Sequence, residues 1–336
     1  MNIKEGLAYD DVLLVPQYSE IKSRASISLE SYLGDLLFKL PIIASPMDTV
    51  TTSPMAAAMD AAGGLGIIHR YNSIDTQCNH VGSLPADAMV GAAIGTSGDY
   101  LERATALVNT GVALLCIDVA HGHHILMKEA LRKLRIVLGN KVHIMAGNIA
   151  TKEGYNDLVN WGADSVRCNI GGGSICSTRI QTGHGVPGLQ TVLDCAEAGR
   201  QVPIIADGGI RSAGDIVKAL AAGADFVMLG SMLAGTDETP GDVVNALDGK
   251  FKSYRGMASE KAQIEWRDRT ASLEGISTTV RCKGPVATVL QNLEKGIRSG
   301  FSYSGARTLH ELQMNAQFVR QTASGQLESS THILKL

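Results

Sequence analysis

No apolar run in these 336 residues approaches the roughly 18 needed for a membrane-spanning helix. The opening residues, Met1-Asn2-Ile3-Lys4-Glu5, lack the apolar stretch of a secretory signal. Basic blocks are missing too. Lys and Arg number 30 against 33 Asp and Glu, a formal net charge of −3, so the chain carries neither the footprint of a nucleic-acid binder nor an acidic, disordered tail. The cysteines (Cys78, Cys116, Cys168, Cys176, Cys195 and Cys282) form no CxxC pair, and several sit inside apolar runs. That argues for free thiols in a reducing, cytoplasmic setting, and against disulfides or structural zinc. No linker or low-complexity segment divides the chain, so residues 1–336 are expected to form one domain.

What the chain does have is glycine, 37 residues concentrated where apolar runs end. The most informative stretch is Gly171-Gly172-Gly173-Ser174-Ile175-Cys176-Ser177-Thr178-Arg179. Backbone free of side chains can point its amides at an anion. A thiol beside those amides and near Arg179 would be partly thiolate, hence nucleophilic. A tight turn next to a small buried cysteine would need no ligand, but phosphate signals recur later in the chain.

Short β-rich runs recur at Pro41–Ser45, Leu65–His69, Met89–Ile94, Leu114–Val119, Val142–Ala146, Ser165–Ile170, Pro203–Asp207 and Asp225–Leu229. Helix-period segments lie between most of them, among them Tyr100–Thr110, His124–Leu138, Lys152–Trp161, Gly188–Ala198 and Ala213–Ala222. Near-continuous apolar strands alternating with helices predict a parallel sheet of βαβ units. The repeat count predicts a (β/α)8 TIM barrel without an inserted regulatory domain, with an open doubly wound sheet as the alternative. The chemistry of a barrel sits at the C-terminal ends of its strands. Polar residues do follow the apolar runs there: Asp48, His69-Arg70, Asp118, Gly147-Asn148, Gly171–Cys176, Asp207-Gly208-Gly209 and Gly230-Ser231. The two late glycine turns, with Ala213-Gly214-Asp215 opening a helix, predict a phosphorylated ligand. Asp207 is placed to accept hydrogen bonds from ribose hydroxyls. Lys250–Gly284 is polar with little apolar periodicity and is expected to be a mobile excursion; 285–320 reads as a closing helical segment and 321–336 as a tail.

The strings GGGSICSTRIQTGHGVP, PIIADGGIRSAGDIVKALAAGADFVMLGSMLAG and SYRGMAS resemble the IMP dehydrogenase/GMP reductase family, as do LAYDDVLLVPQYSEIKSR, PIIASPMDTVT and GGLGIIH. The resemblance covers essentially the whole chain. It implies an oxidoreductase that binds a purine nucleotide monophosphate (GMP or IMP) and a nicotinamide cofactor (NADPH, or NAD as the alternative), usually as a homotetramer. Cys176 would attack C2 of the purine to form a thioimidate. Ser174, Gly209, Gly230, Ser231 and Tyr254 match phosphate binders and Asp207 the ribose contact. Gly256, Met257 and Ala258 match the segment that reads the base. Asp118, Ala120, His121, Gly147 and Asn148 would lie on the cofactor side. The Gly171, Gly173 and Cys176 carbonyls, with Glu328 and Ser329 of a neighbouring subunit, match a potassium site.

Two reactions share the thioimidate. The dehydrogenase passes hydride from IMP to NAD and hydrolyses the adduct to XMP. The reductase expels ammonia from GMP and delivers hydride from NADPH, giving IMP. The chain lacks the regulatory insertion that most dehydrogenases carry. Its segment EKAQIEWRDRTASL has no Arg-Tyr pair to activate water, leaving Arg267 or Arg269 to act alone. It has Thr178 and Glu274, whose matches protonate the departing amine. These features favour the reductase, whereas SYRGM, GSMLAGTDETPG and the tail GQLESSTH read more like the dehydrogenase. A non-catalytic nucleotide-binding barrel is the third reading. Three positions depart from the family pattern: Arg70, a catalytic candidate by the resemblance, stands where a lysine near the reacting groups is usual and keeps its charge without readily giving up a proton; Asn169 stands where glycine is usual, and Gly172 where proline is. His121, His123 and His124 follow a strand end and suit supporting or cofactor-stacking roles better than a metal cluster. His69, His143 and His184 read as structural, Cys116 and Cys168 as core thiols, and Trp266 as a possible cover of the site.

Overall fold

The apolar runs become eight parallel strands that close on themselves in a computed structural model describing residues 3–329 and Thr331. The strands are β1 (Ile42–Ala44), β2 (Leu65–Ile68), β3 (Val90–Ile94), β4 (Leu114–Asp118), β5 (His143–Ile149), β6 (Ser165–Cys168), β7 (Ile204–Asp207) and β8 (Phe226–Leu229). Helices α1 (Ser53–Ala61), α2 (Ile74–Gly82), α3 (Tyr100–Thr110), α4 (Ile125–Leu138), α5 (Lys152–Trp161), α6 (Gly188–Ala196), α7 (Ala213–Ala221) and α8 (Val286–Tyr303) surround them. This is the (β/α)8 barrel expected from the sequence, with α3 and α5 at the expected boundaries.

Period-2 alternation sorts the strand residues into two layers. Ile42 and Ala44 of β1, and Ile204 and Ala206 of β7, pack outward under the helices. Ile43 and Ile205 point inward and join Leu65, Met145, Phe226 and Met228 in the barrel lumen. A hairpin of Ser31–Leu33 and Leu36–Phe38 closes the N-terminal end, where Phe38 meets Phe226 edge to face at 5.6 Å. With that end plugged, the opposite end is left for a ligand.

The stretch Lys250–Gly284, expected as an unpatterned mobile excursion, is built from regular structure. Val244–Ala246, Gly249–Arg255 and Ser277–Arg281 form an antiparallel sheet, and Glu260–Arg267 forms a helix. The alternation was hidden because one of the two buried positions of its central strand is a lysine. Lys252 is satisfied by donating to the carbonyls of Thr236, Asp237 and Thr239 at 3.1, 3.0 and 2.7 Å. Near the other end, Val12–Leu14 pairs antiparallel with Phe318–Arg320, and Ala323–Glu328 forms a short helix. The last residues of the tail lie outside the described residues. No helix among those described is long and apolar enough to cross a membrane.

Burial pushes the His69 imidazole from 6.5 down to about 4, so the folded protein holds it neutral. Its Nδ1 accepts the Tyr71 amide at 3.2 Å. A depressed base contributes stability above its unfolded value and loses it as pH falls toward the folded value, a window from 6.5 to about 4. The loss should reach about 3 kcal/mol at its lower end. Urea midpoints measured across that window should fall more steeply for the wild type than for His69→Gln; parallel profiles would remove His69 as the cause.

Candidate active site

A cavity of about 300 Å³ opens at the C-terminal ends of the strands. Every candidate catalytic residue and every candidate nucleotide contact named from the sequence lines it. Of the cofactor candidates, Asp118, Ala120 and Asn148 line it, but His121 and Gly147 do not. His121 is exposed beyond the rim, and Gly147 lies within β5, where an added Cβ would sit 2.6 Å from the Cβ of Arg167.

Cys176 is held by a loop that follows β6. Its amide closes a turn onto Gly173 O at 3.1 Å. The loop is then stitched to the excursion: Ile276 N donates to Ile175 O at 3.0 Å and Ser177 N to Glu274 O at 2.8 Å. This pairing aligns a short relay. The Cys176 thiol donates to Thr178 Oγ1 at 3.2 Å, Thr178 donates to Glu274 Oε2 at 2.7 Å, and Ser272 donates to Glu274 Oε1 at 2.8 Å. A sulfur nucleophile, a hydroxyl and a carboxyl in series can move a proton between the reacting centre and the carboxyl. Burial pushes the Cys116 thiol up to about 12 and the Cys168 thiol well above its ordinary value, so neither of these two strand cysteines is a ready nucleophile.

Arg179 does not serve the thiol as the sequence led one to expect. It lies behind the loop, where Nε donates to Ile170 O at 3.2 Å and Nη2 to Asn169 Oδ1 at 3.3 Å. Gly171 and Gly185 admit it, since a Cβ at either would come within 2.5 Å of its side chain.

In the loop after β7, Gly208 and Gly209 have φ of +88° and +78°, in the region glycine reaches without strain. A Cβ on Gly208 would stand 3.1 Å from Gly173 N, so the β6 and β7 loops touch. Ser174 Oγ lies 3.4 Å from the Tyr254 hydroxyl, whose pKa burial raises, keeping it a phenol that can donate. The N-terminus of α7 takes no part, contrary to expectation. Ser212 caps it by accepting Asp215 N, Asp215 accepts Arg211 N in return, and no α7 residue lines the cavity.

Sequence reading missed the floor of the cavity. Arg167 of β6, 2% exposed, donates from Nη2 to Asp118 Oδ1 and Asn148 Oδ1, both at 2.6 Å. Asn148 Nδ2 then donates to Asp207 Oδ2 at 2.9 Å. Burial raises the Asp207 pKa and the Arg167 charge opposes that rise. One guanidinium thus links the Asp118 carboxylate directly, and the Asp207 carboxylate through Asn148, into one network. The available signal was a lone arginine in an otherwise apolar run, costly to bury unless paired. Ser45 was missed as well; its buried hydroxyl lines the cavity without a protein partner.

Next to Met257, stacked groups flank the cavity. Tyr71 donates to Met257 O at 2.7 Å, and Trp266 stacks on its ring at 4.1 Å between centroids and 8° between planes. Arg70 lies 5.5 Å from the Tyr71 ring and 5.4 Å from that of Trp266, and Nη2 donates to Asp118 O at 3.2 Å. Arg255 pairs with Asp48 and Glu265, each at 2.6 Å, tying the excursion helix to the β1 loop. The chain has two tryptophans, so Trp161→Phe leaves Trp266 as sole reporter. A bound purine nucleotide is expected to shift its emission, and Trp266→Ala to raise the KM about tenfold, on the order of one aromatic stack. Unchanged emission at a saturating nucleotide, with binding shown by calorimetry, would separate the stack from the site.

Of the potassium candidates, Gly171, Gly173 and Cys176 line the cavity, whereas Glu328 and Ser329 do not. Ser329 donates to Gly325 O and Gln321 Oε1 at 3.0 and 3.1 Å.

A barrel whose strand ends bring a cysteine, a hydroxyl–carboxyl relay and glycine loops into one cavity has the parts of an enzyme active site. The model for the IMP dehydrogenase/GMP reductase domain matches residues 6–332, and the chain belongs to that family of oxidoreductases acting on purine nucleotides. It is 34% identical to an inosine-5'-monophosphate dehydrogenase from Nitrosopumilus maritimus, covering 99% of each chain. It is equally 34% identical to a GMP reductase from Leishmania major, covering 98% of this chain and 97% of that one. A crystal structure of GMP reductase from Trypanosoma brucei in complex with guanosine 5'-monophosphate superposes with a TM-score of 0.93 at 32% identity, covering 98% of both chains. One argument from the sequence falls here. The alignments to the dehydrogenase and the reductase run over 472 and 478 positions, both longer than this chain, so lacking an insertion does not separate the two activities.

Proposed function

We propose that this protein is a GMP reductase, converting GMP to IMP and ammonia through a thioimidate on Cys176, with NADPH as the reductant. The observation that carries the reading is the continuous relay from Cys176 through Thr178 to Glu274. An amine leaves C2 only if it is protonated as the bond breaks, and a carboxyl one hydroxyl away from the nucleophile is suited to that. The sulfur bonds to C2, the exocyclic C–N bond breaks, and the nitrogen departs as ammonia carrying a relayed proton. Bound at the Asp118–Asn148 side, reduced nicotinamide would supply a hydride. Once C2 has received it, the C–S bond breaks and the sulfur recovers a proton. The balance is GMP + NADPH + 2H+ giving IMP, NADP+ and NH4+.

The dehydrogenase reading has less support. It needs an activated water, and the excursion helix offers no tyrosine for it. Arg267 is occupied, donating from Nη2 to Gln263 Oε1 at 2.7 Å and stacking at 5.4 Å from the Trp266 ring. On the same reading Ser174, Gly209, Gly230, Ser231 and Tyr254 hold the phosphate and Asp207 the ribose. Gly256, Met257 and Ala258 meet the base, Asp118, Ala120 and Asn148 meet the cofactor, and Arg70 stands by the reacting groups as a catalytic residue. The Gly171, Gly173 and Cys176 carbonyls are a donor set of the kind potassium accepts, with Glu328 and Ser329 contributed by a neighbour in a homotetramer. The test is the near-ultraviolet band of reduced nicotinamide in two mixtures: GMP with NADPH, and IMP with NAD and potassium. Loss of absorbance with ammonia release in the first supports the reductase. A rise only in the second overturns it.

A further inference from the structure

We infer that Asn169 is a positioning residue: its side chain fixes the gap between the two glycine loops of the cavity, and Gly172 is required to admit it. Asn169 directly follows β6 with φ of +116°, a left-handed value that favours glycine and strains an asparagine. It is buried, 3% exposed, so the side chain is not there for solubility. Its backbone is fixed on both sides, N donating to Ile149 O at 2.8 Å and O accepting Asn148 Nδ2 at 2.9 Å. The strained backbone sends the side chain between the two loops. Nδ2 donates to Gly208 O at 3.2 Å in the β7 loop, and Oδ1 accepts Arg179 Nη2 at 3.3 Å from behind the β6 loop. A carbonyl must accept and a guanidinium must donate, so both partners require the same orientation of the amide.

Gly172 lies over this group. A Cβ at position 172 would stand 2.1 Å from Asn169 Nδ2 and 2.8 Å from its Cγ, closer than any packed carbon tolerates. One residue further on, Gly173 N lies 3.1 Å from where a Gly208 Cβ would be. Residues 172, 169 and 208 therefore form one stack, and the loop amides at 173 and 174 are set by its thickness. Loss of the side chain should let the loops drift from the spacing that aims their amides at a bound anion, and hydrogen bonds weaken steeply once distance and angle are lost.

The proposal rests on the nucleotide reading of the cavity, so the experiment measures GMP binding by calorimetry, apart from turnover. Asn169→Gly should weaken GMP about tenfold while leaving the melting temperature unchanged or raised, because the strained φ is relieved. Gly172→Ala should weaken GMP about a hundredfold in the wild-type background. In the Asn169→Gly background, the same substitution should cost no more than about threefold, the mark of two residues sharing one space. If Gly172→Ala fails to fold, the double variant carries the test: it should fold and bind as Asn169→Gly does. Unchanged GMP affinity in Asn169→Gly, an equal cost of Gly172→Ala in both backgrounds, or a double variant that fails to fold would each overturn the proposal. Absence of GMP binding by the wild type would instead remove the nucleotide reading beneath it.

Discussion

Cys176→Ala is expected to lower turnover of GMP by about four orders of magnitude or more, while GMP affinity stays within a few-fold of the wild type. The sulfur forms and breaks the bond to C2 in this mechanism, and removing a nucleophile costs nearly the whole chemical acceleration. On the proposed reading, ground-state binding would rest elsewhere, on other residues that line the cavity: Gly208, Gly209, Ser174, Tyr254 and the Asp207 carboxylate held by Asn148. The kcat and the binding constant should therefore separate. Intact-protein mass spectrometry offers a second readout. GMP with the wild type should trap an adduct that the alanine variant does not form. If the variant keeps more than a tenth of the wild-type turnover, chemistry does not pass through Cys176. If the wild type binds GMP and turns over neither GMP nor IMP, the barrel is a binding protein.

How far the sequence could be read follows from the kind of interaction at each place. The eight strands were visible because both of their faces are buried: Ile42 and Ile43, like Ile204 and Ile205, are all sealed from solvent, and that leaves near-continuous apolar runs in the sequence. The Cys176 loop was visible because glycine is a direct statement about the backbone. Arg167 was not, because its value lies in partners from other strands: Asp118 on β4 and Asn148 on β5. Arg179 was misassigned for the related reason that adjacency in sequence says nothing of direction. Three residues from Cys176, it turns behind the loop into space left by Gly171 and Gly185. The excursion was misread because a buried lysine, paired with three carbonyls, occupies a position that pattern reading assigns to the surface.

Asn169 shows the same limit from the other side. As letters, asparagine and glycine at 169 and 172 are two separate departures from a family pattern. In space they are one departure, because the asparagine amide fills the volume a side chain at 172 would need. A change at one position becomes tolerable only with the other.

Glu274→Gln should distinguish the two activities that the fold leaves open. Glutamine can still accept the Thr178 hydroxyl through its carbonyl, which in the wild type meets Glu274 Oε2 at 2.7 Å, so loop geometry and GMP affinity should persist. It cannot deliver a proton. Deamination of GMP is therefore expected to fall about 10²- to 10⁴-fold, the usual worth of a positioned general acid. Thr178→Val, which breaks the relay one step earlier, should cost a similar factor, and the double variant should be little worse than either single one, because the two residues act as a unit. The dehydrogenase chemistry would respond differently. Expelling hydride from C2 of IMP needs no proton at the leaving atom, so that half-reaction should survive the substitution and any loss should fall on hydrolysis. A rapid-mixing experiment decides between them. In the reductase, the first turnover of Glu274→Gln should show ammonia release slowed before any hydride is consumed. If ammonia appears at the wild-type rate and only the later step slows, Glu274 does not protonate the leaving amine, and the relay loses its place as the reason for assigning the reductive reaction.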